Sequence, residues 1–223
     1  MVGYPQDVED VYFGAQGIFT TAEQGMYVID LTTSEPMLAK RIYDEAKTRG
    51  IQSFDAPVSG GDLGAQQGTL SIMLGGDENK VEAIMPLLQT FGKNIVYQGA
   101  AGAGQHAKMC NQIVVASSMI GVCESMAYAK HAGLSPETVL QSITAGAAGS
   151  WALSNLAPRM LAGDDAPGFY IKHFVKDMGI ALKECAQMNL QLPGLQLANK
   201  MYNELVEQGY GDCGTQALYH YYE

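Results

Sequence analysis

The stretch Gly99-Ala100-Ala101-Gly102-Ala103-Gly104-Gln105-His106-Ala107-Lys108-Met109-Cys110-Asn111-Gln112 separates two kinds of sequence. On its N-terminal side, short β-forming runs alternate with helical patterns. Met26-Tyr27-Val28-Ile29-Asp30 reads as a strand, and Thr32-Thr33-Ser34-Glu35-Pro36 follows it. Pro36 opens a helical pattern that runs to Arg49 and stops at Gly50. Residues 51–55 and 69–74 read as further strands, the second closed by Gly75-Gly76. Asp77 caps a helix expected over 78–90, and Gly92-Lys93-Asn94 turns into Ile95-Val96-Tyr97. This alternation predicts an α/β unit with a partly parallel sheet. Beyond Gly104 the pattern changes. Residues 104–132 contain no proline and space their apolar residues helically, enough for a helix of about 40 Å. Gly133 ends it, Ser135-Pro136-Glu137 starts another, and 151–161, 173–189 and 195–207 continue the helical pattern. Residues 1–100 therefore read as one α/β domain and 101–223 as an all-helical one.

Composition narrows the classes of function. The 223 residues suit one or two domains. With 47% apolar and 16% charged residues, the chain is neither disordered nor collagen-like. Acidic residues number 23 against 13 basic, a formal charge of −10, which argues against duplex nucleic acid or an anionic membrane surface as partner. A small anionic substrate is still compatible, because two lysines can make one pocket locally positive. Met1-Val2-Gly3-Tyr4-Pro5-Gln6-Asp7 lacks the pattern of a secretory signal, and uninterrupted apolar runs long enough to span a bilayer are absent, so no membrane helix is expected. The four cysteines, at 110, 123, 185 and 213, form no C-x-x-C pair and are expected as free thiols of a cytoplasmic chain.

Gly102-Ala103-Gly104-Gln105-His106-Ala107 matches the dinucleotide pattern G-x-G-x-x-G/A. That pattern needs a second strand ending in an acidic residue about 20 positions on. Glu124 has the right count but falls inside the same long helix, so a tight hinge is the favoured reading. Two other segments can carry chemistry. In Asp55-Ala56-Pro57-Val58-Ser59-Gly60-Gly61-Asp62, glycines let backbone N–H groups converge on an anion and Ser59 adds a hydroxyl, which suits a carboxylate; a plain glycine turn has the same composition. In the long helix, Lys108, Asn111 and Gln112 stand at i, i+3 and i+4 and share a face. Desolvation lowers a lysine's pKa and suits it to proton transfer, although the spacing alone equally describes a solvated lysine beside two amides. His106 points away from Lys108 and is read as a surface residue. The histidines lack metal-ligand spacing, so no metal is expected, and the G-x-S-x-G pattern of serine hydrolases is missing.

Taken in order, Asp55 to Gly61, Gly64-Ala65, Gly68-Thr69-Leu70, Gly75-Gly76-Asp77, Gly102-x-Gly104-x-x-x-Lys108-x-x-Asn111 and Phe174-x-Lys176-Asp177 resemble the β-hydroxyacid dehydrogenases along the whole chain. The resemblance implies a partial Rossmann-type sheet, an all-α C-terminal domain with a long interdomain helix, and a homo-oligomer (dimer or tetramer). It implies an oxidoreductase that moves hydride between NAD or NADP and a small semialdehyde or 3-hydroxy carboxylic acid. Lys108 matches the catalytic lysine, and Ser59, Gly60 and Gly61 match the substrate-carboxylate turn. Asn111 matches a substrate-binding amide, with Gln112 where the family often has a second Asn. Thr33 and Lys176 match cofactor-binding positions, Lys176 belonging to a Lys-Asp pair that closes over the cofactor.

Members of that family begin with a βαβ unit bearing G-x-G-x-x-G, about 70 residues ahead of the position matched by Met1. The resemblance therefore implies that the pyrophosphate-binding part lies outside this sequence. Activity is then impaired and nucleotide affinity reduced, and a sheet edge is left for a second copy or a swapped element to cover. The alternative is a non-catalytic oligomerisation or binding module derived from the family; titration with NADH and NADPH separates the two. An imine reductase is disfavoured because those relatives replace the lysine.

Overall fold

The computed structural model describes residues 1–222, which form two compact units, Met1–Cys110 and the chain from Asn111 onward. In the first, the chain runs through α1 (Pro5–Phe13), β1 (Tyr27–Asp30), α2 (Pro36–Thr48), β2 (Gln52–Asp55), β3 (Val58–Ser59), α3 (Gly61–Gln66), β4 (Leu70–Gly76), α4 (Val81–Leu88) and β5 (Gly92–Gly99). The long helix α5 (Ala103–His131) begins in this unit. Both α1 and α2 open on proline at N1, where the missing N–H has no intrahelical partner to lose.

The sheet is mixed. β1 and β2 run parallel, Tyr27 opposite Gln52 and Asp30 opposite Asp55, and β4 and β5 run parallel as well. Both β2 and β3 lie antiparallel to β4, with Phe54 opposite Gly76 and Val58 opposite Ile72. Between them Met73 N–H donates to Pro57 O at 3.0 Å, so Ala56-Pro57 is a short break in one bent strand. Alternation along β1 sorts its side chains. Val28 joins a core made with Val8, Tyr12, Leu38 and Ile42 from α1 and α2. Ile29 joins the opposite core, where Phe54, Ile72 and Leu74 meet Ile84 and Leu88 of α4. The sheet is thus covered by helices on both faces, the arrangement expected of α/β.

The second unit is helical. It holds the remainder of α5, then α6 (Pro136–Ile143), α7 (Trp151–Asn155), α8 (Ala157–Leu161), α9 (Ile171–Gln187) and α10 (Pro193–Glu207), and ends in 3₁₀ turns over Thr215–Tyr222. Its core includes Phe174 and Tyr202, whose rings meet edge-on at 5.1 Å, and the Tyr202 hydroxyl donates to Thr215 O at 2.8 Å. Cys123 is buried in it, and burial pushes its thiol up to about 12, so it packs as a small apolar group. All four cysteines are free.

Several sequence expectations shift. The helix expected over 151–161 is two short ones, because Pro158 lacks the N–H that a continuous helix would use there. The helix expected over 78–90 opens with a 3₁₀ turn, Glu78–Lys80, and is α-helical only over Val81–Leu88. Gly92 belongs to a strand rather than a turn. The absence of an uninterrupted apolar run also understates α5. Its 29 residues reach a mean hydropathy of 1.2 over their most apolar window, enough by length and composition for a membrane span, a property that core helices of folded domains share.

The start of α5 is held by one carboxylate. Asp55 is 4% exposed; its Oδ1 accepts from Gly102 N–H at 2.8 Å and its Oδ2 from Gln105 N–H at 2.9 Å. A Cβ on Gly104 would lie 2.7 Å from Asp55 O, so only glycine lets the helix come this close to β2. In the dinucleotide-like segment, Gly102 and Gln105 give their N–H groups to Asp55, and Gly104 packs against β2. Desolvation raises the Asp55 pKa, opposed by these two hydrogen bonds. The folded chain thus holds the proton more tightly than the unfolded one. This group's contribution favours folding below the unfolded pKa and is lost as pH rises through the folded pKa. Asp55→Ala strands two buried N–H groups and is expected to destabilise the first unit by about 1–3 kcal/mol, read as a lower urea midpoint; an unchanged midpoint refutes the capping role.

Candidate active site

In the first unit, β3 ends in Ser59 and runs into Gly60 and Gly61, both at positive φ, +131° and +65°. A Cβ on Gly60 would also press on Leu70 Cδ2 at 3.1 Å. Ser59 is half-buried, whereas Gly60 and Gly61 are exposed, so the turn presents its backbone outward. The segment is not a plain loop after this point, because Gly61 already begins α3. Lys108 comes to the head of this turn. It is 7% exposed, and its Nζ donates to Val58 O at 2.8 Å, one residue before Ser59. An aliphatic stem buried to its ammonium leaves the charge at one defined point. His106, two residues earlier, is exposed.

The loop after β1 lies at the carboxyl end of its strand, the side on which ligands bind in open α/β sheets. Thr32 and Ser34 are buried and Thr33 between them is half-buried. Gln105, 0% exposed, secures both neighbours: its Oε1 accepts from Ser34 N–H at 2.9 Å and its Nε2 donates to Thr32 O at 2.7 Å. Sequence reasoning missed Gln105, though a signal existed. It is an uncharged polar residue one helical turn before Lys108 on the same face.

In the second unit, Asn111 Nδ2 donates to Gln112 Oε1 at 2.7 Å, Gln112 Nε2 donates to Asp177 Oδ2 at 2.6 Å, and Lys176 Nζ lies 3.0 Å from Asp177 Oδ1. Gln112 and Asp177 are buried, at 2% and 1% exposure, while Asn111 is half-buried. Both amides are engaged, Asn111 through its Nδ2 and Gln112 through both its Oε1 and its Nε2. Burial, and then the Lys176 and Lys172 ammonium groups, push His173 below the ordinary histidine range, so it is mostly neutral near pH 7. Among the described residues no cluster of metal-ligating side chains occurs.

Residues 1–99 match the model for the NAD binding domain of 6-phosphogluconate dehydrogenase, and residues 102–222 match that for NAD-binding of NADP-dependent 3-hydroxyisobutyrate dehydrogenase. The chain is 60% identical over 98% of its length to an oxidoreductase of Bacillus subtilis, YkwC, and spans 76% of that protein. It is 36% identical, again over 98% of its length, to the 2-hydroxy-3-oxopropionate reductase of Escherichia coli, of which it spans 75%. The 3-hydroxyisobutyrate dehydrogenase of Mycobacterium tuberculosis, solved with L-serine, superposes with a TM-score of 0.89 at 30% identity, covering 99% of this chain and 77% of that one. The chain belongs to the β-hydroxyacid dehydrogenase family.

That family uses a nicotinamide dinucleotide, NAD or NADP. Within the first unit, the loop after β1 fits such a ligand. Thr33 offers a half-buried hydroxyl at a strand's carboxyl end. Ser34 Oγ in the same loop is buried with no hydrogen-bond partner among the described residues, a polar atom that ligand or water could satisfy. In the second unit, the Lys172 and Lys176 ammonium groups near the start of α9 are paired with Asp212 and Asp177. Gln112→Leu removes a hydrogen bond to a buried carboxylate and is expected to destabilise the second unit by about 1.5–3 kcal/mol. Calorimetry checks this; an unaltered transition would mean that the amide–carboxylate chain carries no weight.

Proposed function

We propose that the chain is an oxidoreductase for a small acid bearing an aldehyde or alcohol at the 3-position, interconverting a semialdehyde carboxylate and a 3-hydroxy acid. The observation that carries this is the placement of the Lys108 ammonium at Val58 O, adjoining Ser59-Gly60-Gly61. A carboxylate bound at that turn receives hydrogen bonds from the Ser59 hydroxyl and the exposed glycine N–H groups. The Lys108 Nζ gives its proton to the substrate oxygen as the carbonyl is reduced, and recovers one from the alcohol in the reverse direction. When bound, the nicotinamide dinucleotide supplies or accepts the hydride. The family resemblance supports assigning Asn111 and Gln112 to the substrate and Thr33 and Lys176 to the cofactor. Residues 1–100 act as the dinucleotide-binding part and 101–223 as the substrate and dimerisation part.

The relatives' named substrates support the class. Both 3-hydroxyisobutyrate and 2-hydroxy-3-oxopropionate are short carboxylates that carry, at C3, an alcohol in the first and an aldehyde in the second. In a full-length counterpart that carries the G-x-G-x-x-G segment, Lys108→Ala is expected to lower kcat by roughly 10²–10⁴-fold with the circular dichroism spectrum retained. Undiminished turnover of semialdehyde with NADH or NADPH overturns the assignment. We further propose that the chain assembles with copies of itself. The support for this is the family to which the chain belongs. Light scattering should give a dimer or larger; a monomer at micromolar concentration rejects this.

A further inference from the structure

The β1–α2 loop and the start of α5 are joined by one side chain that the assigned roles do not use. Thr32 O and Ser34 N–H follow the end of β1, at a bend, and among the described residues neither is paired with a strand. Instead the Gln105 amide closes both at once, donating from Nε2 at 2.7 Å and accepting at Oε1 at 2.9 Å. A primary amide holds one acceptor and one donor side by side, so it can stand in for a neighbouring strand at this single position. Thr33 lies between the two gripped peptide groups. At the other end of the side chain, Gln105 is tied to the helix start through its own N–H on Asp55 Oδ2. Lys108 follows at i+3 on the same face, its Nζ on Val58 O.

We propose that Gln105 is a positioning residue that keeps the Thr33 loop in register with Lys108, and so keeps the nicotinamide-contacting segment in step with the proton-transferring ammonium. This rests on the function proposed above. The chemical need is specific. Reduction of a carbonyl delivers hydride to carbon and a proton to the oxygen bonded to it, so the two donors must be held to a fraction of an ångström relative to each other. A loop lacking regular strand pairing would supply the hydroxyl of Thr33 without that precision. Gln105 converts the loop into an extension of the rigid helix, and does so without charge beside the Asp55 carboxylate.

The test compares wild type with Gln105→Met in a full-length counterpart that carries the G-x-G-x-x-G segment; the variant keeps the side-chain volume and removes both hydrogen bonds. Two readouts are needed. Amide hydrogen exchange of residues 32–35 should speed up by at least about tenfold in the variant, while exchange in β2 and β4 stays unchanged. Turnover should fall by roughly 10- to 100-fold in kcat, with the substrate KM within about threefold of wild type, because the carboxylate turn is untouched. A merely structural residue would not separate kcat from KM in this way. Exchange at 32–35 that matches wild type overturns the inference whatever the activity. So does faster exchange with unaltered kcat in an active enzyme. Absence of semialdehyde turnover by wild type with either dinucleotide is a different failure: it overturns the function proposed above, and with it any catalytic role for the clamp, while the exchange data still report whether the clamp exists.

Discussion

Much of the first unit's geometry depends on the Asp55 carboxylate at the end of β2. It is buried, and its two oxygens accept from Gly102 and Gln105, two of the N–H groups that open α5. An uncapped helix start in that position would leave buried donors unpaired, which costs more than a typical hydrogen bond returns. The cap also fixes where α5 begins along the sheet and how it is rotated about its own axis. Rotation matters because Gln105 and Lys108 lie on one face, and Lys108 must arrive at the Val58 carbonyl. A helix turned by one residue, 100°, would carry the ammonium away from the glycine turn altogether. The close approach tolerates no Cβ at Gly104, so Gly102, Gly104 and the carboxylate form one device.

The sequence made some of this legible and hid the rest, for reasons that lie in the residues. Short β-forming runs marked β1, β2 and β4, and helical spacing of apolar residues marked the helices around them. The Lys108 and Ser59-Gly60-Gly61 segments stood out because lysine in an apolar helix and paired glycines after a strand are locally unusual. Antiparallel pairing of β2 and β3 with β4 left no local signal. It depends on a break at Ala56-Pro57 that resembles an ordinary loop in sequence. The terminal 3₁₀ turns were also invisible. Their burial comes from partners distant in the chain, such as Gln216 Nε2 donating to Asp164 O and Ala166 O. Asp55 was visible as a member of the glycine-rich segment. Its role was not, because capping a helix 47 residues later is a tertiary fact.

The second unit shows how a charge can orient neutral groups at a distance. A carboxylate only accepts, so Asp177 Oδ2 obliges Gln112 to present its NH₂. That turns Gln112 Oε1 toward Asn111, which must answer with its own NH₂, and so the Asn111 carbonyl oxygen faces away from Gln112. Two amides that could each flip are thereby given one direction. The Asn-Gln order at 111 and 112 then has a physical meaning. The longer side chain crosses from α5 to α9 and is consumed there, while the shorter stays at the half-buried position.

Both units therefore solve one problem by the same means. A buried carboxylate, Asp55 or Asp177, fixes a glutamine on α5, through the backbone N–H of Gln105 or the side-chain amide of Gln112. The glutamine in turn fixes a group that is less buried than itself, Thr33 by its flanking peptides or Asn111 by its amide. Burying the charge costs solvation, and hydrogen bonds from fixed donors offset part of that cost. What the arrangement gains is direction, because glutamine alone has free choice between donor and acceptor, and a carboxylate removes that choice. Thr33 and Asn111 then sit on rigid supports without carrying charge themselves.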